Sequence, residues 1–260
     1  PQAASAQPPA PPFQLSAVEQ QFVMQLLQMW ENESAKIKTF NAEFERLEYD
    51  AVFGDVNTPM VSSFGQITYA KPDKGSFKVN EIQRLKDGSW ETQKKERGQH
   101  WVCDGKAIYQ YVHREKILEV TPLPPELRGQ SIVDGPLPFL FGAEAEKLLA
   151  RYWIRPKQGN PEMIWLEAYP RRQADALNYS RVEIMLDRKT MTPTAMQLHA
   201  PNGQSRAVYK FTDPVVNGKL DALFGGLFNA PRTPIGYKRV VREDPASSPQ
   251  AAAPADSTRR

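Results

Sequence analysis

Near the start of the chain the apolar positions follow a helical spacing. Val18, Phe22, Leu26 and Trp30 fall four apart, Val23 and Leu27 lie beside them, and Ser16 with Glu19 forms a capping box ahead of them. The pattern predicts an amphipathic helix over about 16–36. The period then drops to two. Phe40, Ala42 and Phe44 share one phase, and Leu47, Tyr49, Ala51 and Phe53 the other, so a long strand is expected, with a bulge or strong bend at the slip near Glu45 and Arg46.

Alternation continues through Ile67 and Tyr69, Phe77 and Val79, Trp101, Ile108, Val182 to Leu186, Met196 with Leu198, and Ala207 to Phe211. Turn chemistry separates these runs at Lys86-Asp87-Gly88-Ser89, Asp104-Gly105, Asp187-Arg188-Lys189-Thr190 and Pro201-Asn202-Gly203-Gln204. Helical interruptions are expected at Ala143 to Leu149 and near "KLDALFGGLF". The class implied is α+β, a curved antiparallel sheet with a few helices on one side. In the stretch "GQITYAKPDKGSFKV" Ile67, Tyr69 and Lys71 share a face. A lysine ending an apolar row either snorkels to solvent or marks the polar mouth of a cavity.

The two ends differ from this body. "PQAASAQPPAPP" has five prolines and no charge, and "EDPASSPQAAAPADSTRR" has a similar composition. Residues 1–12 and 241–260 are therefore expected to be disordered, with one domain over 13–240. No apolar run reaches the eighteen or so residues of a membrane span. If the protein is exported, its signal lies outside this numbering. A net charge of +3 with 24% charged residues gives no basic block of the kind that reads nucleic acid.

Catalytic motifs are missing. The three histidines, His100, His113 and His199, have no metal-ligand spacing, and one cysteine, Cys103, excludes an internal disulfide. On a strand His100 and Cys103 point to opposite faces, which argues against a thiol-imidazole dyad. Gly225-Gly226 lacks the lysine of a phosphate loop, no G-x-S-x-G occurs, and the carboxylates read as surface residues. The expectation is a protein that is not an enzyme, with no metal and no cofactor.

Several segments, in order, resemble the LolA-like family of bacterial periplasmic lipoprotein carriers. They are Gly65-Gln66-Ile67-Thr68-Tyr69-Ala70-Lys71-Pro72, Phe77-Lys78-Val79, Cys103-Asp104-Gly105-Lys106-Ala107-Ile108-Tyr109-Gln110-Tyr111, and Phe224 followed by Pro234-Ile235-Gly236. Where the carriers have an arginine before the first proline, whose side chain helps latch the lid, this chain has Lys71. Residues 81–99 look like an added polar hairpin. "WVCDGKAIYQY" and "DGPLPFLFG" look closer to a subgroup of exported LolA-like proteins without established activity.

The resemblance implies an incomplete, half β-barrel whose helices cover a concave apolar face that receives acyl chains. Ile67, Tyr69, Phe77, Val79, Trp101 and Ile108 would line the cavity, with Lys71 at its rim and Phe139, Leu140 and Phe141 as a lid. Hairpin arithmetic places Trp101 opposite Ile108 and Cys103 opposite Lys106 if Asp104-Gly105 is the turn, with Tyr109 and Tyr111 outward. The function expected is non-catalytic binding or transfer of lipid or lipoprotein acyl chains in the periplasm or another exported location. The alternative is an envelope sensor, a protein-interaction domain or a structural protein with a filled core, with envelope proteins as partners.

Overall fold

The computed structural model describes residues 11–124, 128, 144–218 and 226–242. Helix α1 (Ala17–Ala35) leads into strands β1 (Thr39–Asp50), β2 (Val61–Ala70), β3 (Lys74–Lys86), β4 (Ser89–Thr92), β5 (His100–Asp104), β6 (Ala107–Val112) and β7 (Ile117–Pro122). After these come α2 (Ala145–Arg151), β8 (Tyr152–Lys157), β9 (Met163–Pro170) and α3 (Gln173–Ala176). Strands β10 (Arg181–Asp187), β11 (Pro193–His199), β12 (Ser205–Val216) and β13 (Lys238–Val241) complete the described chain.

The strands make one sheet in the order β13-β7-β6-β5-β3-β2-β1-β12-β11-β10-β9-β8, with β4 paired to β3 beside it. Every pairing is antiparallel except β13 on β7. The end strands β13 and β8 do not pair among the described residues, so the sheet stays an open, curved half-barrel. The architecture is α+β and is the incomplete barrel that the LolA-like resemblance implies. The polar hairpin expected at 81–99 is the outer half of β3 with β4. Its turn, Asp87-Gly88, has positive φ at both residues (49° and 79°), as a two-residue hairpin turn requires.

One face of the sheet packs on α1. Val23, Leu26, Leu27 and Trp30 bury against Phe40, Ala42 and Phe44 of β1, against β2 and β3, and against the inward residues of β8 to β12. The capping box forms as expected: Ser16 Oγ accepts from the Glu19 amide at 3.3 Å, and the Ser16 amide donates to Glu19 at 2.8 Å. Two of the residues that mark the helix in the sequence do not enter the core, however. Val18 and Phe22 are 77% and 48% exposed, because the helix buries the stripe through Val23 and Leu27 instead.

The phase slip near Glu45 and Arg46 is not a bulge. β1 pairs with β2 without interruption from Thr39 to Glu48, and Ala51 and Phe53 lie in the turn beyond the strand. The apolar row on the inner face ends at Phe44 because the next inner position, Arg46, is a half-buried cation paired to Glu48 at 2.7 Å. Leu47 is buried on the outer face. The register shifts fall elsewhere, on β12 opposite Asn41 to Glu43, and on β3 opposite Phe64 and Gly65. The second of these is a close approach. A Cβ on Gly65 would sit 2.5 Å from the Phe44 ring, which lies over this glycine and stacks on Phe77 at 4.6 Å.

The C-terminal end of α1 is clamped. Asn217, in the left-handed region at φ 53°, accepts from the Lys38 amide at 2.7 Å through its side chain and donates to the Lys36 carbonyl at 2.9 Å. Its own amide donates to the Thr39 carbonyl at 2.9 Å. At the other side, the Ala145 amide at the start of α2 donates to Glu31 at 3.0 Å. Residues 145–151 thus hold the short helix expected at Ala143 to Leu149, while residues 219–225 of "KLDALFGGLF" lie outside the described residues.

Candidate functional site

Of the six residues expected to line a cavity, four are core. Ile67 and Tyr69 on β2 and Phe77 and Val79 on β3 bury in one cluster with α1, and Tyr69 is 5% exposed. Its hydroxyl donates to the Pro72 carbonyl at 3.3 Å, and burial and Asp73 push its ionisation up to about 12. Trp101 is half-buried, packs on the same cluster and stacks on Phe77 at 6.1 Å. Ile108 is half-buried and shares the Trp101 face by register. In this structure all of these but Ile108 belong to, or pack on, the cluster that the covering helix completes.

Lys71 is exposed and reaches the end of that helix. Its Nζ donates to the Ala35 carbonyl at 3.3 Å, and its amide donates to the Lys38 carbonyl at 2.8 Å. α1 has no basic residue in its own last turn, so Lys71 supplies the cation that a helix C-terminus favours. Phe139, Leu140 and Phe141 lie outside the described residues.

The turn between β5 and β6 sits one residue later than Asp104-Gly105. Gly105 (φ 85°) and Lys106 make the turn, and Asp104 remains in the strand. The cause is the Asp104 carboxylate, which accepts from the Lys106 and Ala107 amides, both at 2.8 Å, and so caps the turn from behind. Trp101 therefore faces Gln110, and Cys103 faces Ile108. Each partner moves by two residues, so the faces keep their identity. Tyr109 and Tyr111 lie on the outer face, where Tyr109 is buried with Ala107, Leu118 and Val120 in a second, smaller cluster. Cys103 is a buried small residue whose thiol donates to the Asp73 carbonyl at 3.1 Å, and burial pushes it up to about 11.

An open apolar groove of about 550 Å³ runs beside α1, between the residues preceding it, α2 and the edge strand β8. Leu15, Val23, Met24, Leu149, Trp153 and Ile154 form its walls. Arg171 stands at its border with its guanidinium 5.3 Å from the Trp153 ring. Val23 and Ile154 also belong to the main core, so the groove is the exposed margin of the same apolar body. The alternation of β8 did not reveal it, because it needs α1, α2 and the edge strand together.

Not all carboxylates are on the surface. On the outer face of β8 to β11 Glu167 and Glu183 are almost fully buried. Arg155 and Arg181 pair with Glu167 at 2.6 and 3.0 Å, and Lys157, Arg181 and His199 pair with Glu183 at 3.0, 3.1 and 3.0 Å. Trp165 Nε1 donates to Glu183 at 3.0 Å, and its ring lies 4.2 Å under the Lys157 ammonium. Burial would raise the Glu183 carboxyl, but hydrogen bonds from His199 and Lys157 and the charges of Arg181 and Lys157 hold it at about 2. Strand alternation reads such residues as solvated; only cross-strand register shows that each is surrounded by partners. Among the described residues no cluster of His, Cys, Asp and Glu could hold a metal ion.

No family model matches the chain, and no curated protein matches it. Solved structures do. An uncharacterized conserved protein from Thermus thermophilus is 12% identical over 84% of this chain and 98% of its own, with a TM-score of 0.45. A LolA superfamily protein from Nitrosomonas europaea is 10% identical over 76% and 96%, with a TM-score of 0.37. The MucA/MucB complex of Pseudomonas aeruginosa matches at 15% identity over 76% of this chain and 58% of that one, with a TM-score of 0.38. The half-barrel itself is read from the strand order and not from these likenesses.

Proposed function

We propose that this chain is a non-catalytic binding protein for lipid or lipoprotein acyl chains, exported to the periplasm or an equivalent compartment, and that the acyl chain enters beside α1. The observation that supports this reading is the groove between α1, α2 and β8, mostly apolar along its walls, continuous with the core and bordered by one cation. An anionic head at Arg171 with its tail along Met24, Leu149 and Trp153 would satisfy both parts. Each methylene removed from water there contributes about 0.8 kcal/mol, so a chain of ordinary length needs no further chemistry to be held. Ile67, Tyr69, Phe77, Val79, Trp101 and Ile108 would be reached after α1 swings aside, with Phe139, Leu140 and Phe141 as the proposed cover.

The test is binding of a fluorescent fatty-acyl probe to protein purified without detergent. Wild type should bind, and Leu149→Glu together with Met24→Glu should weaken binding at least about tenfold, since a charge in the groove opposes an apolar tail. No binding by the wild type overturns the reading. It would leave a protein-interaction domain, the reading favoured by the exposed stripe of Val18, Phe22 and Met29 on the outer side of α1.

A further inference from the structure

On the outer face, away from α1, a second pocket of about 490 Å³ opens between β3, the β4–β5 connection, β6 and the residues before β13. Register builds its floor. Lys78 on β3 is directly opposite His100 on β5, and Tyr111 follows on β6, so the three form one row across the sheet. The His100 and Tyr111 rings stack at 4.1 Å and 2°, and His113 lies near parallel to Tyr111 at 5.8 Å. Tyr237 closes the far wall, with its hydroxyl 2.7 Å from His113 Nδ1.

The other wall is mainly cationic. Lys94 and Arg97 come from the β4–β5 connection and join Lys78. None of these three cations has an ion-pair partner among the described residues. The one carboxylate in the lining, Glu96, is engaged by Arg84 at 3.0 and 3.2 Å. Both imidazoles feel this field. Burial, Lys78 and His113 bring His100 down to about 4, and burial, Arg97 and Lys78 lower His113. At neutral pH two uncharged rings with N–H groups to donate therefore face three cations that lack a counter-charge.

We propose that this pocket binds a small phosphorylated ring compound, a nucleotide or a sugar phosphate. Three converging cations suit a doubly charged phosphate better than a single carboxylate, since lysine and arginine together meet its oxygens as point charges and paired donors. The pocket is far larger than a phosphate group, and its remaining wall is aromatic, which suits a ring. The site stands apart from the acyl groove and does not depend on that reading.

The test follows the ring C2–H signals of His100 and His113 by NMR in the full chain, titrated with AMP, glucose 6-phosphate, inorganic phosphate and adenosine. AMP or glucose 6-phosphate should shift both signals, raise both imidazole titrations, and bind at least about tenfold tighter than phosphate alone. The arm that binds tighter names the ring. Lys78→Ala with Arg97→Ala, both exposed positions, should weaken that binding at least about tenfold while the circular dichroism spectrum stays unchanged. The proposal is overturned if no probe moves the signals, if phosphate alone or adenosine alone binds as well as the phosphorylated ring, or if the double variant binds like wild type.

Discussion

The outer face of the sheet carries two charged regions that solve the same problem in opposite ways. Across β8 to β11, Glu167 and Glu183 are buried among Arg155, Lys157, Arg181 and His199, and each carboxylate meets at least two cations. Across β3 to β6 the cations Lys78, Lys94 and Arg97 surround His100 and His113, which shed their protons more readily than free imidazoles. In the first region every cation is paired to a carboxylate, which leaves little to offer a ligand. The second keeps unspent positive potential, which is a property of binding sites more than of structural ones.

The comparison is tested most severely by Glu183→Ala. Removing a buried carboxylate that Lys157, Arg181 and His199 all address takes charge-assisted hydrogen bonds from each, leaves Glu167 as the one carboxylate for Arg181, and should cost about 2–3 kcal/mol. Denaturant midpoints with an unchanged slope would measure it, and a loss below about 1 kcal/mol would mean that the β8–β11 network is as exposed as ordinary surface pairs.

Acid should act on the two regions in separate windows. Glu183 is lowered from 4.5 to about 2, so its contribution is complete above about 4.5 and is lost as pH falls toward 2. His100 is lowered from 6.5 to about 4, so between these values the unfolded chain takes up the proton first and stability falls as pH drops. For the half-buried His100 this amounts to about 1–2 kcal/mol after solvent screening. His100→Phe, which preserves stacking on Tyr111, should shrink the upper window to the part that His113 supplies and leave the lower one. An unchanged pH profile of stability in that variant would show that His100 is not under the field described.

The smallest effect is expected from Lys78→Ala with Arg97→Ala. Because neither side chain is paired among the described residues, stability should change by no more than about 0.5 kcal/mol. His113 should titrate closer to its ordinary value, since two of the charges that lower it are gone. A large loss of stability would mean that these cations are structural, and the contrast between the two regions would disappear.

These regions also show what a sequence discloses. The capping box at Ser16, the Asp87-Gly88 turn and the inner rows Ile67-Tyr69 and Phe77-Val79 are local signals, and the α+β class with a curved antiparallel sheet follows from them, whereas the half-barrel is implied by the LolA-like resemblance. Asp104 misled the turn assignment because an aspartate before glycine either occupies the turn or caps it, and the choice depends on where its carboxylate finds amides. Glu167 and Glu183 read as surface residues because strand alternation does not distinguish an outer face open to water from one roofed by neighbouring long side chains. The second pocket joins His113 to Tyr237, 124 positions apart, so it is invisible until β13 pairs with β7.

The clamp at the end of α1 has a mechanical consequence. Asn217 and Lys71 hold the segment at Ala35 to Thr39, whereas the first turns, beside the groove, rest on the capping box and side-chain packing. A swing of the helix, of the kind proposed for ligand entry, would therefore pivot at its carboxyl end. Nineteen residues make an arm of about 28 Å, so a rotation of about ten degrees moves the free end by roughly 5 Å, about the width of one hydrocarbon chain. Amide exchange along α1 should accordingly slow from Ser16 toward Ala35, with the amplitude of motion set by Asn217, the residue just past β12 that ties down both the end of the helix and the start of β1.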